Sequence, residues 1–206
     1  MRKTIFLVLL VMALGLLPVA GQATIYTDET AFLNALLPGS YTENFSGLPA
    51  GLQPDSMNFS GGGFSYTLSA VAGLFAFPSA TPPALSTNNE NTTIQGLNFA
   101  STGDPLVGIG GFFYLTDIDG DFVPGALSVT INGVATLVDS VLAPAFFGVI
   151  DFAGISSLEV APLANWATIS NLTVGAATAP VPVPPSVLLL GSGLLGLVSF
   201  RKKFAK

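Results

Sequence analysis

Between residues 24 and 178 the chain alternates short apolar runs with turns rich in Gly, Pro, Asn and Ser, and this alternation limits the folds it can adopt. Apolar side chains occupy every second position in residues 64–68 and 127–131, which is the period of a half-buried β-strand. Asn132-Gly133 follows the second run and precedes the apolar residues 134–138. This dipeptide predicts a β-hairpin with a two-residue turn.

The remaining pattern predicts more strands and one helix. About nine short strands separated by turns favour an all-β fold, an antiparallel β-sandwich of the jelly-roll type. A short N-terminal helix is predicted over residues 28–37, because Thr27 can cap it, acidic residues occupy its first turn and Pro38-Gly39 ends it. The further predicted strands are residues 94–99, 107–115, 146–151, 157–161 and 167–174.

Charge is separated along the chain. All six basic residues lie at the two ends, and all twelve acidic residues lie between Asp28 and Glu159, so the middle segment has no Lys, Arg or His. A nucleic-acid partner requires cations that neutralise phosphates, so no nucleic-acid partner is expected for this domain. The absence of cysteine excludes disulfides, cysteine-based zinc sites and thiol catalysis.

Residues 1–23 have the features of a secretory signal peptide. Arg2 and Lys3 precede an apolar stretch over residues 5–17, and the small residues Gly21 and Ala23 precede a suitable cleavage point before Thr24. As a helix, this stretch would span only about 20 Å, which is shorter than a hydrocarbon core of about 30 Å. We therefore expect a signal helix for secretion machinery, followed by an exported domain over residues 24–178.

Residues 179–206 form a three-part C-terminal segment. Its apolar stretch, residues 187–200, predicts a short transmembrane helix, and the basic cluster after it predicts a stop-transfer signal with the C-terminus in the cytoplasm. The basic cluster consists of Arg201, Lys202 and Lys203. A proline motif precedes the apolar stretch and consists of Val181, Pro182, Val183, Pro184, Pro185 and Ser186.

This three-part segment resembles the PEP-CTERM sorting signal of Gram-negative bacteria, with Val183 in place of the Glu that gives the signal its name. The resemblance implies recognition by an exosortase, with cleavage near the proline motif and delivery to the cell surface or the extracellular matrix. It also implies a structural or adhesive role in exopolysaccharide, biofilm or floc. The alternative for the same segment is a permanent anchor in the cell-envelope membrane that is never cleaved.

The side-chain inventory argues against an enzyme. Without His, Lys, Arg or Cys, the exported domain has no triad base, Schiff-base amine or phosphate clamp. Only a carboxylate pair, as in glycoside hydrolases, could support catalysis. A carbohydrate-binding, lectin-like module is a better alternative to the matrix role, although core packing is the ordinary use of the residues that could stack on a sugar. These residues are Tyr41, Tyr66, Tyr114 and Trp166.

One acidic cluster could bind a metal ion. Asp117, Asp119 and Asp121 place three carboxylates within five residues, and Gly120 permits a sharp turn between them. Hard oxygen ligands suit calcium, although the spacing is not that of an EF-hand. The alternative is a solvated hairpin loop that needs no ion.

Overall fold

The computed structural model describes residues 23–179, which form two antiparallel β-sheets and one short helix. The elements are α1 (Glu29–Ala35), β1 (Thr24–Tyr26), β2 (Tyr41–Glu43), β3 (Gly51–Gln53), β4 (Ser56–Gly61), β5 (Phe64–Ala70), β6 (Leu74–Phe77), β7 (Ala84–Thr87), β8 (Ile94–Ser101), β9 (Gly108–Thr116), β10 (Phe122–Val123), β11 (Gly125–Ile131), β12 (Val134–Ser140), β13 (Ala145–Ile150), β14 (Leu158–Pro162) and β15 (Trp166–Gly175). The all-β prediction is confirmed.

The strands are distributed over a nine-stranded and a six-stranded sheet. The order in the larger sheet is β1-β13-β9-β15-β7-β6-β3, with β10 paired to β9 and β2 paired to β15. The order in the smaller sheet is β12-β11-β14-β8-β5-β4. Strands distant in sequence are therefore neighbours in space, so the fold depends on long-range pairing.

One apolar core lies between the two sheets. Leu68 and Ile94 of the smaller sheet belong to the same fully buried cluster as Ile109, Phe113 and Ile169 of the larger sheet. Alternate residues of β5 and β11 enter this cluster, as their period of two predicts. Burial of each such side chain stabilises the folded state by roughly 1.5–3 kcal/mol. Because the two sheets share this cluster, the arrangement is a β-sandwich.

The predicted hairpin forms between β11 and β12. Ile131 pairs with Val134 across a turn in which Asn132 and Gly133 both have positive φ, at 51° and 80°. These angles define a type I′ turn, whose twist matches that of the flanking strands. The hairpin prediction is therefore confirmed.

Asn132 also joins this hairpin to the segment between β13 and β14. Its Nδ2 donates to Oδ2 of Asp151 at 3.0 Å and to the Gly154 carbonyl at 2.7 Å. Its Oδ1 accepts from the backbone N–H and the hydroxyl of Ser156, at 2.8 and 2.9 Å. Because β13 and β14 belong to different sheets, this junction links the hairpin turn to the crossing between them.

The helix is shorter than predicted and has a different cap. Asp28, not Thr27, is the N-cap, and its Oδ1 accepts from the backbone N–H of Ala31 at 2.7 Å. The helix ends at Ala35, before Pro38, because Leu36 turns to an extended conformation and forms a β-bridge with Ala177. Tertiary pairing thus ends the helix before proline can.

α1 covers one face of the larger sheet through Phe32, which is fully buried. Its ring lies 5.6 Å from that of Phe146. A Cβ atom added at Gly110 or Gly148 would lie 2.9 Å from the Phe32 ring. Two paired strands therefore require glycine where the helix packs against them.

Candidate functional site

The predicted metal-binding residues lie in the loop between β9 and β10. Oδ1 of Asp117 accepts hydrogen bonds from the backbone N–H groups of Asp119 and Asp121, at 3.0 and 2.9 Å. The backbone N–H of Asp117 donates to the carbonyl of Asp121 at 3.0 Å. The three residues are thus held in one tight turn, which we call the acidic loop (residues 117–121).

Gly120 sets the conformation of the acidic loop. Its φ of +85° lies in the left-handed region that favours glycine, and a Cβ atom there would lie 2.6 Å from the ring of Phe77. Phe77 is the last residue of β6 and is half-buried. The loop therefore packs on an aromatic ring from another part of the larger sheet.

The carboxylates of the acidic loop differ in their surroundings. Asp119 and Asp121 are exposed, whereas Asp117 is half-buried and uses Oδ1 to hold the turn. Within residues 23–179, no three His, Cys, Asp or Glu side chains are gathered in a group that could hold a metal ion. Calcium binding by these three residues stays a prediction.

Apart from Ala23 and Ala179 at their edges, the two predicted targeting segments lie outside the described residues. This applies to the signal peptide, the proline motif from Val181 to Ser186, the transmembrane helix, and the basic cluster Arg201, Lys202 and Lys203. Among the helices in the described part of the chain, none has the length and hydropathy required to cross a membrane.

Two of the four aromatic residues considered for sugar stacking are buried inside the protein. Tyr66 and Tyr114 are 1% and 4% exposed, and the Tyr66 ring stacks between those of Phe59 and Phe99. Trp166 is only half-buried. The expectation that tyrosines at these positions serve packing is met at Tyr66 and Tyr114.

Tyr41, Tyr66 and Tyr114 stay protonated at physiological pH. Burial raises the pKa of Tyr114 to about 12 and raises the pKa of Tyr66 far above its ordinary value. Burial and the Glu43 carboxylate raise the pKa of Tyr41, whose hydroxyl donates to Oε2 of Glu43 at 2.5 Å. These three hydroxyls are therefore neutral phenols and not phenolate bases.

A groove that sequence reasoning missed runs beside β12. Its volume is about 660 Å³, and we call it the β12 groove. Phe112 and Phe146 form part of its wall, and the exposed side chains of Ile25 and Leu137 border it. Asp28, Glu29 and Asp139 add carboxylates to the same lining. The exposed apolar residues within strand patterns were the available signal, but only the strand order shows that β12 is an edge.

Comparisons with protein-family models, with curated proteins and with solved structures found no match.

Proposed function

We propose that this chain is an exported bacterial protein of the cell surface or extracellular matrix, sorted by an exosortase-type pathway. Its role is structural or adhesive, in exopolysaccharide, biofilm or floc, and it is not an enzyme. The precursor is anchored in the inner membrane before it reaches the surface. The jelly-roll assignment is part of this proposal and is supported by the pairing of distant strands, such as β8 with β14.

The extent of the folded domain is the observation that supports this proposal best. The first strand begins at Thr24, immediately after the predicted signal-peptide cleavage point, and the last β-bridge is formed by Ala177. The strands of the described residues thus begin and end next to the two predicted cleavage points, so removal of both predicted targeting segments would leave these strands intact.

A variant of the basic cluster tests the proposal. In an exosortase-bearing host, changing Arg201, Lys202 and Lys203 together to Glu should abolish surface display, because the stop-transfer signal is lost. The matched control is Asp55→Asn, which changes one charge in the exported domain. The measurement is the surface fraction and the intact mass of the surface protein. Unchanged display of the triple variant, or Arg2 present in surface material, would contradict the proposal.

A lectin-like, calcium-dependent module is the second candidate. It is favoured by the acidic loop, in which Gly120, between the exposed Asp119 and Asp121, lies against the half-buried ring of Phe77. A calcium ion takes several oxygen ligands, so sugar hydroxyls could complete the coordination of an ion held by exposed carboxylates. An aromatic ring beside the ion could pack against the sugar. Binding to a glycan array with and without EDTA separates this candidate from a purely structural role.

A further inference from the structure

We infer that the β12 groove binds an extended peptide segment of a partner protein, rich in basic and apolar residues, by adding a strand to the free edge of β12. This inference does not depend on the sorting pathway. It requires only that the folded domain meets such a segment outside the membrane.

The free backbone groups of β12 follow from the type I′ turn. A two-residue hairpin makes Ile131 and Val134 a hydrogen-bonded pair, so every second residue of β12 from Val134 bonds to β11. Ala135, Leu137 and Asp139 therefore direct their N–H and C=O groups away from β11. Because β12 ends the six-stranded sheet, those groups lie along an open edge.

The other edge strands are less suited to pairing with an added strand. β1 and β3 end the larger sheet and have three residues each, and short edges limit unwanted pairing. β4 ends the smaller sheet opposite β12, and its last residue, Gly61, lies under the ring of Tyr41. β12 has seven residues, and neither Lys nor Pro protects it.

The groove beside this edge provides apolar contacts for a docked strand. Phe112 and Phe146 pack edge to face, with ring centroids 5.5 Å apart. Leu137 is 64% exposed and Ile25 is 55% exposed. A volume of about 660 Å³ lies within the usual range of ligand sites, roughly 300–1,000 Å³. In strand addition, backbone bonds provide affinity and such pockets accept alternate side chains.

The negative charge of the β12 groove favours a basic peptide segment as its ligand. Asp28, Glu29 and Asp139 line the groove, and the chain has no Lys, Arg or His between residues 4 and 200 to balance them. A second copy of the domain would bring the same negative charge to the contact. A segment with Lys or Arg at alternate positions would instead meet complementary charge, which also speeds association at low salt.

The test uses the full-length chain in mild detergent and a fluorescent peptide of alternating Lys and Val, followed by anisotropy. We expect saturable binding that weakens with salt. Leu137→Pro removes an edge N–H without breaking the bonds to β11 and should weaken binding roughly tenfold or more. Asp139→Asn should weaken it roughly two- to fivefold. Asp55→Asn, the matched charge control, should have no effect.

A second peptide, N-methylated at alternate residues, keeps its charge but cannot pair as a strand. Equal binding of both peptides, or equal binding to the wild type and to Leu137→Pro with an unchanged melting temperature, would overturn the inference. So would dimerisation of the chain alone that Leu137→Pro abolishes. Binding seen only after Arg201, Lys202 and Lys203 are changed to Ala would assign the groove to the chain's own terminus and also overturn it.

Discussion

Two turns of this protein use the same residue types in opposite ways. At the junction of Asn132 with Asp151, the side-chain amide of Asn132 bonds to groups 19 to 24 residues away, among them the Asp151 carboxylate. In the acidic loop, the bonds of Asp117 reach only two to four residues along the chain. The junction thus joins separate strands, whereas the acidic loop organises itself.

This difference teaches what each set of side chains is free to do. Both side-chain ends of Asn132 are bonded, and both carboxylate oxygens of Asp151 accept hydrogen bonds. Asp119 and Asp121 are exposed and serve the turn through their backbones. The junction should therefore determine stability, and the acidic loop should respond to ligands.

The largest effect is expected at Asn132. Asn132→Ala removes four side-chain hydrogen bonds. It also places alanine, which tolerates the left-handed region less well than asparagine, at a φ of 51°. The free energy of unfolding should fall by about 2–4 kcal/mol, measured by urea denaturation. Asn132→Gly keeps the turn conformation and isolates the lost bonds. Wild-type stability of both variants would contradict the role of the junction.

Gly120→Ala tests whether the acidic loop also has a fixed conformation. The new methyl group would meet the Phe77 ring at a φ of +85°, so a loss of about 1–3 kcal/mol is expected in thermal unfolding. Gly47→Ala is the matched control, because a Cβ atom there has nothing within 4 Å. If the two variants unfold alike, the loop tolerates a side chain and its predicted geometry is wrong.

Calcium should distinguish the two turns. If Asp117, Asp119 and Asp121 hold one ion, Ca²⁺ at tenfold its Kd should stabilise the domain by about 1.4 kcal/mol in a saturable way. Mg²⁺ at equal ionic strength should do less, because it dehydrates reluctantly. Asp119→Asn should remove the calcium-specific shift in melting temperature, and Asp55→Asn should keep it. Equal shifts with both ions would leave the acidic loop as a solvated turn.

The smallest effects on the free energy of unfolding are expected when single carboxylates of the two turns are changed in the absence of calcium. Asp151→Asn replaces one carboxylate oxygen, which accepts from either Asn132 or Ala153, by an amide group that can only donate. The free energy of unfolding should therefore fall by about 1 kcal/mol. Asp119→Asn should change stability by less than about 0.5 kcal/mol. Urea denaturation in EDTA measures both. A larger loss for Asp119→Asn would mean that its carboxylate has a structural role.

The sequence predicts the strands that follow a clear period. β5, β11 and β12 alternate apolar and polar residues, and the turn of Asn132 and Gly133 fixes the register between the last two. The predicted helix is longer than the observed one because the bridge of Leu36 to Ala177, which ends it, is a long-range contact. Thr27 and Asp28 are both good capping residues, so local preference could not decide between them.

Most of the strands that the sequence does not predict are short or unusual. β1, β2 and β3 have three residues each, too few to show a period. β7 is buried throughout, including Ser86, whose hydroxyl donates to the Ala167 carbonyl at 3.1 Å and accepts from Thr168. In the sequence alone, the polar residues Ser86 and Thr87 indicate a turn, because the buried hydrogen-bond partners of Ser86 are not visible there. The β12 groove could not be predicted, because it depends on the strand order.

The position of β15 has a consequence for how the protein is made. β15 alone joins β9 to β7 in the larger sheet, yet it is the last strand of the described residues. Until residue 175 has emerged, the two halves of that sheet have no shared central strand, and the chain must wait for a long-range closure that is slow by nature. If the chain is exported as we propose, it would still lack this closed sheet while most of it passes through a narrow channel, and folding would be completed on the far side.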